Sequence, residues 1–187
     1  MAKLKDVTEL SGLFGESITI RKVNGRVVVT NRPKKKRGEP TEKEIAHRAR
    51  VSEAAKYAKS IADSEELRAL YATGVKKKHE SPQSVAIGDF MNAPEVKAIE
   101  VMKYTGAVGD SIEVHAVDDF QVTKVTVTII DANSVVIEQG DAIDDAQTRV
   151  NQWKYKTTVA NTTLKGTKIM VIAYDRPGNQ GSNEIVL

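Results

Sequence analysis

The chain has 187 residues, of which 40% are hydrophobic and 28% charged, a composition typical of globular proteins and not of disordered ones. Cysteine is absent, which excludes disulfides, thiolate metal sites and cysteine nucleophiles. The net charge is only +3, but residues 1–94 carry 19 Lys and Arg against 12 Asp and Glu, whereas residues 95–187 carry 9 against 13. This asymmetry indicates separate roles for the two halves, or electrostatic docking between them.

The sequence predicts a cytoplasmic protein without a membrane partner. Residues 1–12 contain no apolar run suited to a signal peptide. Nowhere does an apolar stretch approach the roughly 20 residues that a membrane helix requires.

The first predicted element is a β-hairpin around Asn24-Gly25. This dipeptide favours a type I′ turn, because both of its central residues need a positive φ. A two-residue turn places Val23 opposite Arg26 and Thr19 opposite Thr30. One face of the hairpin is then apolar, with Ile18, Ile20, Val27 and Val29. An isolated hairpin is marginal in water, so we expect this face to dock on the following helix or on a second chain.

The hairpin and the loop after it form a strongly basic segment without an acidic residue. Its eight cations are Arg21, Lys22, Arg26, Arg32, Lys34, Lys35, Lys36 and Arg37. Such a segment can track the phosphates of a nucleic acid or another polyanion. The alternatives are a solvated loop, or a loop that docks on the acidic half of the chain. Aromatic residues for base stacking are missing, which argues against sequence-specific recognition.

Three helices follow. Thr41 and Glu44 form a capping-box pattern that predicts a helix over residues 42–62. Its predicted apolar stripe consists of Ile45, Ala49, Ala55, Ala58 and Ala62. Ser64 and Ser81-Pro82 are helix start signals for two further helices. Residues 92–94 close this region and place a domain boundary between a basic hairpin and helical region, 1–94, and a second domain, 95–187.

From residue 95 the hydrophobic period changes from helical to alternating, which predicts antiparallel strands. We expect an α+β protein whose second domain is a seven-stranded antiparallel β-sandwich. The predicted strands are 96–103, 111–117, 121–130, 135–139, 149–159, 167–174 and 182–187. We further expect residues 111–130 to form the central hairpin of this sandwich.

The second half of the chain resembles the immunoglobulin-like modules of bacterial multidomain proteins. The resemblance lies in Ile112-x-Val114-x-Ala116-x-Asp118-Asp119-x-x-Val122-x-x-Val125-x-Val127 and in Ile169-x-Val171-x-Ala173-x-Asp175-x-x-Gly178-Asn179. It implies a β-sandwich, without the cysteine pair of antibody domains. The hairpin and the following helix, which carries His47-Arg48-Ala49-Arg50, resemble an uncharacterised group of small Bacteroidetes proteins.

Acidic residues cluster in three of the predicted loops. If the strands alternate in direction, the loops after predicted strands two, four and six lie at one end of the sandwich. Convergent carboxylates are suited to calcium. The alternatives are an electrostatic contact between domains and separately solvated turns, since Asp favours turns for local reasons. The candidate calcium ligands are Asp118, Asp119, Asp141, Asp144, Asp145 and Asp175.

The sequence carries no pattern that predicts catalysis. The three histidines are scattered, and no phosphate-binding or nucleophile motif is present. We therefore predict a non-enzymatic structural or protein-interaction protein that has no catalytic residues and needs no cofactor except, in one interpretation, calcium. The alternative is a protein that binds nucleic acid or another polyanion through residues 21–37.

Overall fold

The computed structural model describes residues 12–14, 17–23, 26–32, 38–76, 80–145, 147 and 149–187. The chain divides into two compact units, Met1–Ala46 and His47–Leu187. The boundary expected at residue 94 stays a prediction.

The first unit contains a three-stranded antiparallel sheet. Its strands are β1 (Gly12–Phe14), β2 (Ile18–Val23) and β3 (Arg26–Asn31), in the order β1-β2-β3. Val23 pairs with Arg26 and Thr19 with Thr30, so the predicted register of the hairpin is confirmed. The Asn24-Gly25 turn itself lies outside the described residues. Strand β1 belongs to a segment for which the sequence predicted no regular structure.

The helices begin at the predicted caps. They are α1 (Glu42–Asp63), α2 (Glu65–Ala72) and α3 (Pro82–Met91). The capping box at the start of α1 is formed, because Glu44 N donates to Thr41 Oγ1 and Thr41 N donates to Glu44 Oε2, both over 3.3 Å. Ser81 forms a capping box with Ser84 at the start of α3, and at the start of α2 the Ser64 side chain accepts from Leu67 N.

The predicted apolar stripe of α1 is wrong over most of its length. The buried residues are Ala54, Ala58 and Ile61, whereas Ile45 is 54% exposed. Nine residues separate Ile45 from Ala54, which is two and a half helical turns, so the two side chains lie on opposite faces. Of the expected stripe, only Ala58 is fully buried. It belongs to a small core with Ile61, Tyr71, Val85 and Ala86.

The rest of the chain forms two four-stranded antiparallel sheets. One sheet has the order β4-β5-β9-β8 and the other has the order β11-β10-β6-β7. These are the strand orders of an immunoglobulin-like sandwich in which β7 is an added edge strand next to β6. The α+β fold is thereby confirmed, with eight strands in place of the seven expected. They are β4 (Glu95–Glu100), β5 (Ser111–Val117), β6 (Lys124–Ile130), β7 (Val136–Asp141), β8 (Ile143–Asp144), β9 (Gln152–Lys156), β10 (Lys168–Tyr174) and β11 (Gln180–Val186).

The expected hairpin over residues 111–130 is wrong. Strand β5 pairs with β4 and β9, whereas β6 pairs with β10 and β7 in the other sheet. The connection between them crosses from one sheet to the other, and Phe120 within it stacks on Tyr71, with ring centroids 4.5 Å apart. An alternating pattern shows that a segment is a half-buried strand, but it does not identify the neighbouring strand.

The inner faces of the two sheets supply the main core. Three strands contribute three fully buried residues each: Ile112, Val114 and Ala116 from β5, Val125, Val127 and Ile129 from β6, and Ile169, Val171 and Ala173 from β10. Each buried Val or Ile side chain stabilises the fold by about 1.5–3 kcal/mol. Among the described helices, none has both the length and the apolar character needed to cross a membrane.

Candidate functional site

Three aspartates from three different elements meet at one end of the sandwich. Asp118 follows β5, Asp175 follows β10, and Asp89 lies in the last turns of α3. One carboxylate oxygen from each lies within 4.8 Å of the other two. We call these three residues the acidic junction. Within the described part of the chain, no other group of three or more acidic or histidine side chains comes this close.

The acidic junction is largely removed from solvent. Asp89 is 0% exposed and Asp175 is 4% exposed, whereas Asp118 is half-buried. Oδ1 of Asp89 and Oδ1 of Asp118 are buried and have no hydrogen-bond partner. A buried carboxylate oxygen without a partner is unfavourable, because the charge has lost its water and received nothing in return.

A pair of tyrosines supports Asp89 from the helical side. The Tyr71 hydroxyl donates to Oδ2 of Asp89, and the Tyr57 and Tyr71 hydroxyls are 2.8 Å apart. Tyr71 is fully buried and lies against Phe120, from the loop that also carries Asp118. Because Tyr71 donates its only hydroxyl proton to Asp89, Tyr57 is the donor in the tyrosine pair.

The turn that carries Asp175 holds the end of α3. Gly178 N and Asn179 N donate to Oδ1 of Asp175 over 2.8 and 2.6 Å. Gly178 has a φ of +95°, which favours glycine. The amide nitrogen of Asn179 contacts the backbone carbonyls of Asp89, Phe90 and Asn92 at 3.2–3.3 Å and Oδ2 of Asp175 at 2.6 Å. The turn therefore joins β10 to the helix.

Burial and the nearness of Asp118 raise the pKa values of Asp89 and Asp175. The pKa of Asp89 rises to about 7, first because burial disfavours the charged form, and further because Asp118 lies close by. Burial also raises the pKa of Asp175 above its ordinary value. The pKa of Tyr71 is raised, by burial and then by its hydrogen bond to Asp89.

The other predicted calcium ligands have different surroundings. Asp119 accepts a hydrogen bond from the amide of Asn92 over 2.5 Å. Asp141 is held by Lys124 at 3.2 Å and by Thr126 at 3.0 Å, and these two bonds lower its pKa. Asp144 lies in β8 and shares the lining of a shallow cavity of about 170 Å³ with Asp118. Asp145 follows β8. The structure thus brings together Asp118 and Asp175 from the predicted set.

Four of the predicted polyanion-binding residues lie in the described part of the first unit, and all four are exposed. Arg21 and Arg26 lie on one face of the sheet, and Lys22 lies on the other face, opposite Val27. Arg32 follows β3, and its backbone N–H donates to the carbonyl of Ser17. Lys34, Lys35, Lys36 and Arg37 fall outside the described residues.

Asp89 is a site residue that was not predicted from the sequence. The missed signal is helical spacing, because Asp89 follows the buried Val85 by four residues and therefore shares its face. An acidic residue on the apolar face of a short helix indicates a buried charge that needs a partner. The partners themselves, Asp118 and Asp175, are 29 and 86 positions further along the chain, beyond the reach of local patterns.

No protein-family model matches the chain, and no curated protein is significantly similar to it. The resemblances to bacterial immunoglobulin-like modules and to small Bacteroidetes proteins therefore stay predictions.

Proposed function

We propose that this chain is a non-enzymatic structural or protein-interaction protein, in which the sheet of the first unit is the docking element. The observation that carries the proposal is the apolar face of that sheet, which includes a valine, Val29, that is 58% exposed. The predicted cytoplasmic location belongs to this proposal and rests on the sequence alone.

The apolar face of the β1-β2-β3 sheet is less buried than the residues of a hydrophobic core. Ile18, Ile20 and Val27 are half-buried and Val29 is exposed. Neither of the two hydrophobic cores formed by described residues contains a residue of this sheet. A small sheet with one apolar face gains stability when that face is covered, so another protein chain is a favourable partner.

The outer edge of β3 offers a second means of attachment. In the order β1-β2-β3, strand β3 pairs only with β2 among the described strands. Its other edge presents backbone N–H and C=O groups to which a partner strand can bond. A partner strand added there would extend the apolar face and bury Val29.

Light scattering of the full chain over a range of concentrations tests this proposal, with a second copy as the first partner to examine. We expect association that Val29→Lys abolishes, because a buried lysine charge is strongly unfavourable. Val23→Lys is the matched control. Val23 is 42% exposed, and it lies on the opposite face of the same hairpin.

A monomeric protein at every concentration would reject self-association. In that case a pull-down that compares the wild-type chain with the Val29→Lys and Val23→Lys variants decides the proposal. A partner retained by wild type and by Val23→Lys, but lost from Val29→Lys, supports docking on the apolar face. Loss of the partner from neither variant, or no partner at all, overturns it.

A second candidate function is binding of nucleic acid or another polyanion. It is favoured by the exposed Arg21, Lys22, Arg26 and Arg32, which occupy β2, β3 and the residue after β3 with no acidic side chain among them. Phosphate contacts of this kind release counterions, so the affinity falls with salt, by a log–log slope of roughly −0.9 for each contact on duplex DNA.

A mobility shift with duplex DNA at low salt tests this second function. Replacing the eight predicted cations of residues 21–37 with Ala in two groups of four should weaken binding and flatten the salt dependence. A variant with Ala at Lys97, Lys103, Lys124 and Lys165, four exposed lysines of the sandwich, is the control with the same change in net charge. Equal loss in both kinds of variant, or no shift at low salt, rejects the hypothesis.

A further inference from the structure

We propose that the acidic junction is a binding site for a hard divalent cation, calcium, held by the carboxylates of Asp89, Asp118 and Asp175. The inference is independent of the docking function proposed above. It assigns a ligand to a buried site that joins the helices to the sandwich.

The spacing of the carboxylates fits one calcium ion. One oxygen of each aspartate lies within 4.8 Å of the others. Calcium takes oxygen ligands at about 2.3–2.6 Å, so two oxygens on one ion lie at most about 5 Å apart. The three side chains therefore reach a common ion without a large movement of the backbone.

The second observation is that two buried carboxylate oxygens have no hydrogen-bond donor. Oδ1 of Asp89 is buried in a residue that is 0% exposed, and it has no hydrogen-bond donor. Oδ1 of Asp118 is also buried and without a donor. Among the described residues, no Lys, Arg or His forms a salt bridge with any of the three aspartates. A cation would supply the missing partner to both oxygens at once.

The donors near the site are already engaged: Oδ2 of Asp89, Oδ2 of Asp118 and both oxygens of Asp175 accept hydrogen bonds, which leaves the two Oδ1 atoms of Asp89 and Asp118. The Asn179 amide nitrogen has two hydrogens, but four oxygens lie within 3.3 Å of it. The site contains neither histidine nor cysteine, so its ligands are those of calcium or magnesium rather than zinc. Calcium is favoured because it accepts an irregular set of ligands from loops and a helix, whereas magnesium demands near-ideal octahedral geometry.

A shared proton is the competing explanation for the same geometry. Asp89 and Asp118 are close enough for a proton to bridge them, which would satisfy one oxygen of each without a metal. The two explanations differ in a measurable way. A proton bridge makes stability independent of calcium at fixed pH and ionic strength, whereas a cation site makes stability rise with calcium until the site is full.

Calorimetric titration and thermal unfolding of the full chain in CaCl₂ test the proposal, after treatment with EDTA and exchange into chelator-free buffer. Titration from about 1 μM to about 10 mM covers the affinities of sensors and of extracellular calcium modules. We expect saturable binding of about one ion per chain and a rise in Tm that an equal ionic strength of NaCl does not produce.

Two variants locate the site. Asp89→Asn and Asp118→Asn should each lose the calcium-dependent rise in Tm, and calorimetric binding should weaken at least tenfold. Asp89→Asn also removes a buried charge, so this variant should fold without metal. If Asp89→Asn does not fold, Asp118→Asn tests the site at a half-buried position. Asp141→Asn is the matched control, because Lys124 and Thr126 already hold its carboxylate. It should respond to calcium like the wild type.

Three results would overturn the proposal. The first is no binding and no change in Tm up to about 10 mM calcium, which would leave the shared proton as the explanation. The second is an equal calcium response in Asp89→Asn and wild type, which would mean that calcium binds elsewhere. The third is saturable binding of MgCl₂ without any response to CaCl₂, which would reject calcium as the ligand.

Discussion

The two ends of the sandwich bury polar groups in contrasting ways. At the end opposite the acidic junction, Asn161 and Thr167 are buried with Tyr104. The Asn161 amide nitrogen donates to the Tyr104 hydroxyl over 3.1 Å and to Thr167 Oγ1 over 2.9 Å, and its oxygen accepts from Thr163 N. We call these four residues the neutral network. Its donors and acceptors match, whereas the acidic junction brings together acceptors alone.

This contrast shows which sets of buried polar groups satisfy one another's hydrogen bonds. An amide and three residues with hydroxyl groups carry both donors and acceptors, so the neutral network satisfies its members without charge. Three carboxylates carry only acceptors when ionised, so every donor must come from a neighbouring group, and Oδ1 of Asp89 and Oδ1 of Asp118 receive none. The neutral network is therefore a structural element, and the acidic junction is the candidate site.

The largest expected effect is a loss of stability on replacing a glycine, and this loss should differ between the two ends of the sandwich. Gly106 has a φ of +91°, and a Cβ there would lie 2.2 Å from the carbonyl oxygen of Asn161. Gly178 has a φ of +95° with nothing within 4 Å. Gly106→Ala should cost about 3 kcal/mol or more, because backbone strain adds to a steric clash. Gly178→Ala should cost only about 1–2 kcal/mol.

Denaturant unfolding of the two glycine variants measures this difference. Equal losses would contradict the view that the neutral end is the more tightly packed of the two.

The next largest effect is a loss of stability as the pH rises, measured in the presence of a chelator. Asp89 has a pKa of about 7 in the folded chain and 3.8 when unperturbed, so between these values the folded state holds a proton that the unfolded state has released. The contribution of Asp89 to stability is therefore fully present below about pH 4 and is lost as the pH rises through about 7. Asp175, whose pKa is also raised, adds a change of the same sign.

Thermal unfolding from pH 4 to 8 measures this loss. Asp89→Asn should flatten the curve and give a higher Tm than wild type above pH 7, since it removes the buried charge. Asn161→Ala, in the neutral network, should lower the Tm at every pH and keep the slope. The same slope in Asp89→Asn and wild type would show that Asp89 is not the titrating group.

A moderate loss is expected from breaking the neutral network itself. Asn161→Ala removes the bonds to Tyr104, Thr163 and Thr167 at once and should cost about 2–3 kcal/mol. Asn133, in an exposed turn, is the control, and Asn133→Ala should change stability by no more than about 0.5 kcal/mol. Denaturant unfolding compares the two, and a similar loss in both would mean that the network contributes little.

The smallest effect should come from Tyr57, which contacts the acidic junction only through Tyr71. Tyr57→Phe removes the hydroxyl that donates to Tyr71 but leaves the bond from Tyr71 to Asp89. We expect a loss of about 0.5–1 kcal/mol, the net value of one hydrogen bond. Tyr71→Phe should have the larger effect in metal-free protein, because it deprives Asp89 of its donor. The reverse order would contradict the arrangement of the pair.

Much of the local structure was predictable from the sequence. The Asn24-Gly25 dipeptide predicted the register of β2 and β3 that the structure shows, because a two-residue connection leaves one alignment of the strands. The capping residues Thr41, Ser64 and Ser81 marked the helix starts. The alternation of Ile112, Val114 and Ala116 identified a strand and its buried face. Each of these signals acts over a few residues, which is why the sequence displays it directly.

The candidate site was only half predictable. The order of strands and loops indicated that Asp118 and Asp175 end at one rim, since strands that alternate in direction place alternate loops together. Asp89 was missed because helical spacing shows which face is buried but not what that face meets. The expected hairpin over residues 111–130 failed for the same reason, since alternation does not reveal that β5 and β6 lie in different sheets.

By itself, the sequence determined the segments of this protein: where its helices begin, which residues of its strands face inward, and that its front half is basic. Only the tertiary structure decided which segments meet. The approach of α3 to the loops after β5 and β10 turns three ordinary aspartates into a buried group of like charges. Such a group arises from the closeness of distant residues and their loss of water, and neither property belongs to any single stretch of sequence.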